Sequence, residues 1–89
     1  MVQINNESQI PKQGTSILYF SGEHCSACQQ LTPKLNQITE NKYGRNLYHI
    51  DVKTGIGARY NVEYVPTIIV LNNGMEVKRA VGVKNIENI

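Results

Sequence analysis

Two cysteines, Cys25 and Cys28, are the only ones in this chain of 89 residues. Two residues separate them, and a pair with this spacing can carry out thiol–disulfide exchange. One thiolate attacks a disulfide, and the second thiol, held nearby, releases the mixed disulfide. The loop between the two cysteines is too small for a disulfide to remove much entropy from the unfolded chain. The spacing therefore predicts reversible redox chemistry rather than a structural cross-link.

The residues after the pair predict a different role for each thiol. Cys28, Leu31, Leu35 and Ile38 are spaced as one apolar face of an amphipathic helix. If that helix begins near Cys25, the sulfur of Cys25 lies at the positive end of the helix dipole, which lowers a thiol pKa from about 8.5 toward neutrality. We predict that Cys25 attacks and that the less exposed Cys28 resolves the mixed disulfide.

Zinc binding is the first alternative for such a pair. Tetrahedral zinc takes four ligands, and the chain offers only His24 and His49 beside the two cysteines. His24 is adjacent to Cys25, but His49 lies in a predicted strand and is interpreted as a strand surface residue. Because of this shortage of ligands, we predict no metal site.

The predicted strands and helices that must position the cysteine pair alternate along the chain. Predicted strands, rich in β-branched and aromatic residues, cover residues 2–4, 16–20, 46–52, 67–71 and 75–81. Predicted helical segments cover residues 7–10, 25–41, 54–61 and 83–89, with a bend at Pro33 and a hairpin turn at Asn72-Asn73-Gly74. This order predicts an α/β fold with a central mixed sheet of four to five strands flanked by helices.

Length and composition limit the classes of function. A chain of 89 residues is enough for one domain, 1–89. The net charge is only +2 and the basic residues form no run, which argues against nucleic acid. No apolar stretch approaches the length of a membrane span, and no basic region followed by an apolar one opens the chain. We therefore expect a cytoplasmic monomer that binds neither nucleic acid nor membrane.

Taken in order, these motifs resemble the thioredoxin family over roughly residues 16–86. The matching features are the active-site segment Ser-Gly-Glu-His-Cys-Ser-Ala-Cys at 21–28, Pro33 in the active-site helix, the segment Tyr-Asn-Val-Glu-Tyr-Val-Pro-Thr at 60–67, the Asn73-Gly74 hairpin and Gly82. The resemblance implies a thioredoxin-like fold. It implies a protein disulfide reductase that serves as an electron carrier in cell redox homeostasis.

The resemblance also assigns roles to residues far from the cysteines. Pro66 would be the family's cis-proline, which packs against the cysteine pair and excludes metals. Gly82 would be the family's glycine beside the active site. Val65 would offer its backbone to an extended client peptide. The implied clients are protein disulfides such as that of ribonucleotide reductase. The implied electron source is a thioredoxin reductase or a similar flavoprotein, and the carrier itself would need no cofactor.

The chain departs from the family pattern around the cysteines. Ser26-Ala27 stands between them in place of Gly-Pro, which leaves the redox potential open. His24 replaces a tryptophan, and its imidazolium would favour the Cys25 thiolate. An exposed loop histidine with little effect is the alternative.

Tyr19 is the departure with the clearest chemical consequence. It occupies the position of the family's buried aspartate, which assists proton transfer with the resolving thiol, and nearby Ser21 replaces an aromatic residue. A tyrosine with a pKa near 10 is a poor base at neutral pH. We expect either Glu23 or water to take over, or the resolving step to be slower.

Two other functions remain open from the sequence. A glutaredoxin also combines the cysteine motif with Val-Pro, but it follows the hairpin with a glycine pair and acidic residues that hold glutathione, whereas this chain has Val81-Gly82-Val83-Lys84. A non-catalytic binding module would keep the fold and use an apolar rim of Ala27, Val65 and Val83 for contact alone.

Overall fold

The computed structural model describes residues 1–89, and its centre is a five-stranded sheet in the order β1-β3-β2-β4-β5. The strands are β1 (Val2–Ile4), β2 (Thr15–Ser21), β3 (Leu47–Asp51), β4 (Thr67–Asn72) and β5 (Met75–Val81). Strand β3 pairs in parallel with β1 and β2, whereas β4 pairs antiparallel with β2 and β5. The predicted mixed sheet is confirmed, and its strand ends lie within one residue of the predicted ones.

Four α-helices and three 3-10 turns complete the fold, and the last helix follows β5. The helices are α1 (Ser26–Leu31), α2 (Leu35–Tyr43), α3 (Ile56–Arg59) and α4 (Val83–Glu87). The 3-10 turns are Glu7–Gln9, Thr32–Lys34 and Val52–Thr54. Asp51 caps the 3-10 turn after β3, since its side chain accepts a hydrogen bond from the Lys53 N–H at 2.9 Å. No helix has both the length and the apolar character that crossing a membrane requires.

The predicted helix over residues 25–41 is interrupted rather than continuous. It consists of α1, the 3-10 turn Thr32–Lys34 and α2, and Pro33 lies within the turn. Proline has no N–H to donate and its ring clashes with the preceding helical turn. The bend predicted at Pro33 is confirmed, and it divides the segment into a short helix that carries Cys28 and a longer one.

Both faces of the sheet are buried, and β2 lies at its centre. Ile17 and Tyr19 point into a core shared with Leu31 and Leu35 of the α1–α2 segment. Leu18 and its neighbours on the alternate face point into a second core. A central strand buried on both faces has a continuous apolar run instead of an alternating one. The face that carries Tyr19 is therefore the face on which α1 and its cysteine rest.

Candidate active site

The cysteine pair lies where the chain passes from β2 into α1. Cys25 is the N-cap of α1, with extended backbone angles, and Cys28 lies one turn inside the helix. The two form a disulfide with their Cα atoms 5.2 Å apart. The Cys28 N–H donates a hydrogen bond to Cys25 Sγ at 3.1 Å. Cys25 is half-buried, whereas Cys28 is only 2% exposed, so Cys25 is the more accessible of the two cysteines.

In the reduced protein we expect iodoacetamide to alkylate Cys25 at least about tenfold faster than Cys28 at pH 7, because the thiolate reacts and Cys25 is both accessible and hydrogen-bonded to a backbone N–H. Peptide mapping by mass spectrometry over a pH series measures both rates. The variants Cys25→Ser and Cys28→Ser give each thiol alone as a matched control. Faster labelling of Cys28 would reverse the two roles.

Tyr19 lies beneath the helix that carries the resolving cysteine. Its side chain is fully buried, and its hydroxyl lies 3.1 Å from the Cys28 carbonyl oxygen and 2.9 Å from the Thr32 hydroxyl. The Thr32 hydroxyl also donates to the same carbonyl at 2.7 Å. Burial raises the pKa of Tyr19 above its usual value, and the Thr32 hydrogen bond opposes that shift only in part. Tyr19 therefore stays neutral at physiological pH and anchors the helix.

His49 is not the strand surface residue that the sequence predicted. It is half-buried, and its ring stacks on that of Tyr19 with the centroids 5.2 Å apart. Its Nε2 is hydrogen-bonded to the hydroxyl of Ser21, which is itself buried. Burial lowers the pKa of His49, the nearby Asp51 carboxylate opposes this, and the N-terminal amine adds a smaller lowering.

Ser21 and His49 are the site-flanking pair that sequence reasoning missed. The signal available was the i, i+2 spacing of Tyr19 and Ser21, which places both side chains on one face of β2. The parallel register that sets Tyr19 opposite His49 could not be read from that spacing.

The residues predicted from the 60–82 region lie together, with Val65 near the loop that leads to Cys25. Pro66 is buried and the Val65–Pro66 peptide bond is cis, as the resemblance implies. The Gly82 N–H donates to the Pro66 carbonyl at 2.9 Å. A Cβ at Gly22 would lie 3.5 Å from Val65 Cγ2 and 4.0 Å from Cys25 Cβ, so Gly22 lies between Val65 and the attacking cysteine.

The two loop residues before Cys25 do not join this cluster. Glu23 is exposed, and its carboxylate lies 3.9 Å from the Lys53 ammonium. His24 is also exposed. Their predicted tuning of the thiols stays a prediction. No group of three or more His, Cys, Asp or Glu side chains comes together in the chain in a way that could hold a metal ion.

The amino-acid sequence of the chain is similar to those of known proteins. The family model for thioredoxin matches residues 1–89. The thioredoxin of Chlamydia muridarum is 32% identical over 94 residues, which cover all of this chain and 92% of that protein. The mitochondrial thioredoxin of Bos taurus is 26% identical over 89 residues, which cover 97% of this chain and 50% of that protein. The chain thus spans about half the length of the mitochondrial relatives it matches.

Solved structures agree on the fold. A mutant thioredoxin from Halobacterium salinarum superposes with a TM-score of 0.82 at 20% identity, covering 98% of this chain and 81% of that one. The oxidised thioredoxin from Plasmodium falciparum superposes with a TM-score of 0.82 at 19% identity, and the match covers 99% of this chain and 92% of that one. These likenesses confirm the predicted thioredoxin-like fold.

Proposed function

This chain belongs to the thioredoxin family, and we propose that it works as a protein disulfide reductase that passes electrons from a reductase to client proteins. It is a dithiol–disulfide oxidoreductase of the Cys-x-x-Cys type, and the family acts on disulfide-bearing proteins with a reductase as partner. The observation that supports the proposed roles of the two cysteines is the asymmetry of the pair. An accessible Cys25 caps the helix, and a buried Cys28 lies one turn behind it.

The exchange proceeds in two steps that balance. The Cys25 thiolate attacks one sulfur of the client disulfide, a Cys25–client disulfide forms, and the other client sulfur leaves as a thiolate that takes up a proton. Cys28 then gives up its proton and attacks the Cys25 sulfur. The Cys25–Cys28 bond forms and the second client thiol leaves. The client gains two electrons and two protons, while the cysteine pair loses two electrons and the Cys28 proton, and the remaining proton comes from solvent.

We propose that the client binds at the residues grouped near the loop that leads to Cys25. Val65 precedes the buried Pro66 and borders the loop that leads to the attacking cysteine. We propose that the Val65 backbone pairs with an extended client segment, as an added strand pairs with an exposed edge. The Gly82-to-Pro66 hydrogen bond would hold the two loops together, and the half-buried Ala27 and Val83 would complete an apolar rim.

Within this proposal the protein is a cytoplasmic monomer that binds neither nucleic acid nor membrane. Ribonucleotide reductase is a proposed client because the resemblance to the thioredoxin family implies it. A thioredoxin reductase or a similar flavoprotein is the proposed electron source, and the chain itself needs no cofactor.

Insulin reduction with dithiothreitol as electron source tests the function. We expect the chain to accelerate precipitation of the insulin B chain, and Cys25→Ser to retain no more than about 1% of that acceleration, since the variant lacks the nucleophile. Thermal unfolding of both reduced proteins controls for folding. Turnover of a small glutathione mixed disulfide without insulin reduction would indicate a glutaredoxin-like activity. An inactive but folded wild-type chain would indicate a binding module.

A further inference from the structure

We propose that a shallow apolar notch beside Cys25 binds an aliphatic side chain of the client, two residues away from the client's reacting cysteine. The notch is bounded by Gly22, Val52 and Val65, and we call it the Gly22 notch. The inference rests on the proposed function and deepens it. It names the class of client segment that the same site reduces best, which is a disulfide with leucine, isoleucine or valine near its cysteine.

The first observation is the set of distances around Gly22. A Cβ built on this glycine would lie 3.5 Å from Val65 Cγ2, 3.7 Å from Val52 Cγ2 and 4.0 Å from Cys25 Cβ. Because glycine has no side chain, the chain itself leaves the space between the two valines unfilled. An apolar group of a bound client that enters this space contacts both valines, next to the cysteine that reacts.

The second observation is that the notch opens onto the surface. Gly22, Val65 and Cys25 are half-buried, whereas Val52 is 39% exposed. Val52 begins the 3-10 turn after β3 and belongs to neither of the two cores that flank the sheet. The fold therefore leaves an aliphatic side chain without a core partner at the border of the active-site loop.

The third observation is an ion pair between the two segments that border the notch. Glu23 follows Gly22, Lys53 follows Val52, and 3.9 Å separates Glu23 Oε2 from Lys53 Nζ. Such an exposed pair contributes little to stability. It gives the apolar surface of the notch a charged border, as the polar rim of a protein interface does.

The chemistry of the exchange determines which part of a client reaches the notch. In the mixed disulfide the client's cysteine is bonded to Cys25, so the residues around that cysteine are held close to it. We have proposed that this segment pairs as an extended strand with the Val65 backbone. In an extended strand, side chains two residues apart lie on the same face, so the side chain two positions from the client's cysteine also faces this protein.

The lining of the notch selects the type of side chain. When a segment adds to a strand, main-chain hydrogen bonds give affinity, and pockets for alternate side chains give specificity. Between two valine side chains, a polar group loses its water and gains no hydrogen bond, which costs free energy. An aliphatic side chain is stabilised there by the removal of its apolar surface from water.

Two peptide disulfides that differ only in this side chain test the proposal. They are the symmetrical disulfides of acetyl-Leu-Thr-Cys-Thr-Leu-amide and acetyl-Ser-Thr-Cys-Thr-Ser-amide, in which the residues next to the cysteine are the same. Each is mixed with the reduced protein, quenched with acid and quantified as released thiol by liquid chromatography. We expect the wild type to react about tenfold faster with the leucine peptide than with the serine peptide.

Gly22→Ala is the decisive variant. Gly22 is not among the glycines with positive φ, and the added methyl group meets its neighbours at ordinary contact distances, so we expect the variant to fold. Because that methyl group fills the notch, the ratio of the two rate constants should fall to about twofold or less. Val52→Ala removes one wall and should also lower the ratio. Val77→Ala, the same change at an exposed valine of β5, is the matched control and should keep the wild-type ratio.

The ratio isolates the notch from other effects of a substitution. The reactivity of the peptides themselves is the same in every variant, and a change that only loosened the fold would move both rate constants together. Wild-type ratios in both Gly22→Ala and Val52→Ala, or a wild type that reacts equally with the two peptides, would overturn the notch and leave the reductase function intact. A folded wild type that reduces neither peptide would contradict the reductase function itself, and the notch with it.

Discussion

Replacing Cys28 with serine is expected to trap the protein on its clients as a stable mixed disulfide. The first step needs only Cys25, so attack on the client disulfide proceeds. A serine hydroxyl cannot replace the thiolate that completes the exchange. Because Cys28 is buried at 2% exposure and serine is close to it in volume, we expect the variant to fold. Its steady-state reduction of insulin should fall to about 1% of wild type or less.

Non-reducing electrophoresis and intact-mass spectrometry after incubation with insulin measure this trapping. The expected product is a species at the summed mass of the protein and an insulin chain, which dithiothreitol separates by reducing the mixed disulfide. Cys25→Ser is the matched control and should form none, because its remaining thiol is out of reach of the client. Covalent capture through Cys28 in that control would show that the assigned order of attack is reversed.

Features fixed by neighbouring residues could be predicted from the sequence. The spacing of Cys25 and Cys28 places both sulfurs within one helical turn. The apolar run in β2 follows from burial of a central strand on both faces. The break at Pro33 follows from the missing N–H of proline. In each case the feature leaves a pattern within a few consecutive residues, and that pattern can be read from the sequence.

Features fixed by strand pairing could not be predicted in the same way. His49 and Ser21 are 28 positions apart, and their contact depends on the parallel register of β2 and β3. A shift of one residue in that register would turn the His49 side chain to the opposite face. Alternation within β3 is compatible with either outcome, which is why the predicted surface position of His49 is wrong.

The grouping of Val65, Pro66 and Gly82 near the loop that leads to Cys25 is a different case. Nothing in their local sequence brings them to the cysteine pair, and only the family resemblance indicated it. The structure places the Gly82 N–H on the Pro66 carbonyl and Val65 next to the Cys25 loop. The arrangement is a product of topology, since β4 pairs antiparallel with β2 and so begins where β2 ends.

Tyr19→Asp, which would return the family's carboxylate to its usual position, is expected to destabilise this chain by about 3–5 kcal/mol, as large-to-small changes at buried aromatic positions do. The Tyr19 ring is fully buried and stacked on His49. Its hydroxyl also reaches Cys28 and Thr32, and an aspartate is too short to replace either contact. The loss would be a large share of the roughly 5–15 kcal/mol typical of a small domain.

Tyr19→Asn is the matched control, because it leaves a similar cavity and carries no charge. A carboxyl buried without a partner has a pKa above its unfolded value of about 3.9. The folded state then binds the proton more tightly than the unfolded state. Relative to Tyr19→Asn, the stability of Tyr19→Asp is therefore greatest below about pH 4 and declines as the pH rises through the raised folded pKa.

Urea unfolding of both variants between pH 3 and pH 8 measures this difference, and the titration of all other groups cancels between them. We expect nearly equal stability at pH 3 and a lower free energy of unfolding for Tyr19→Asp at pH 7. Equal stability at pH 7 would mean that the carboxylate has found a partner. The imidazolium of His49 is the cation placed to serve, since it stacks on the ring that the substitution removes.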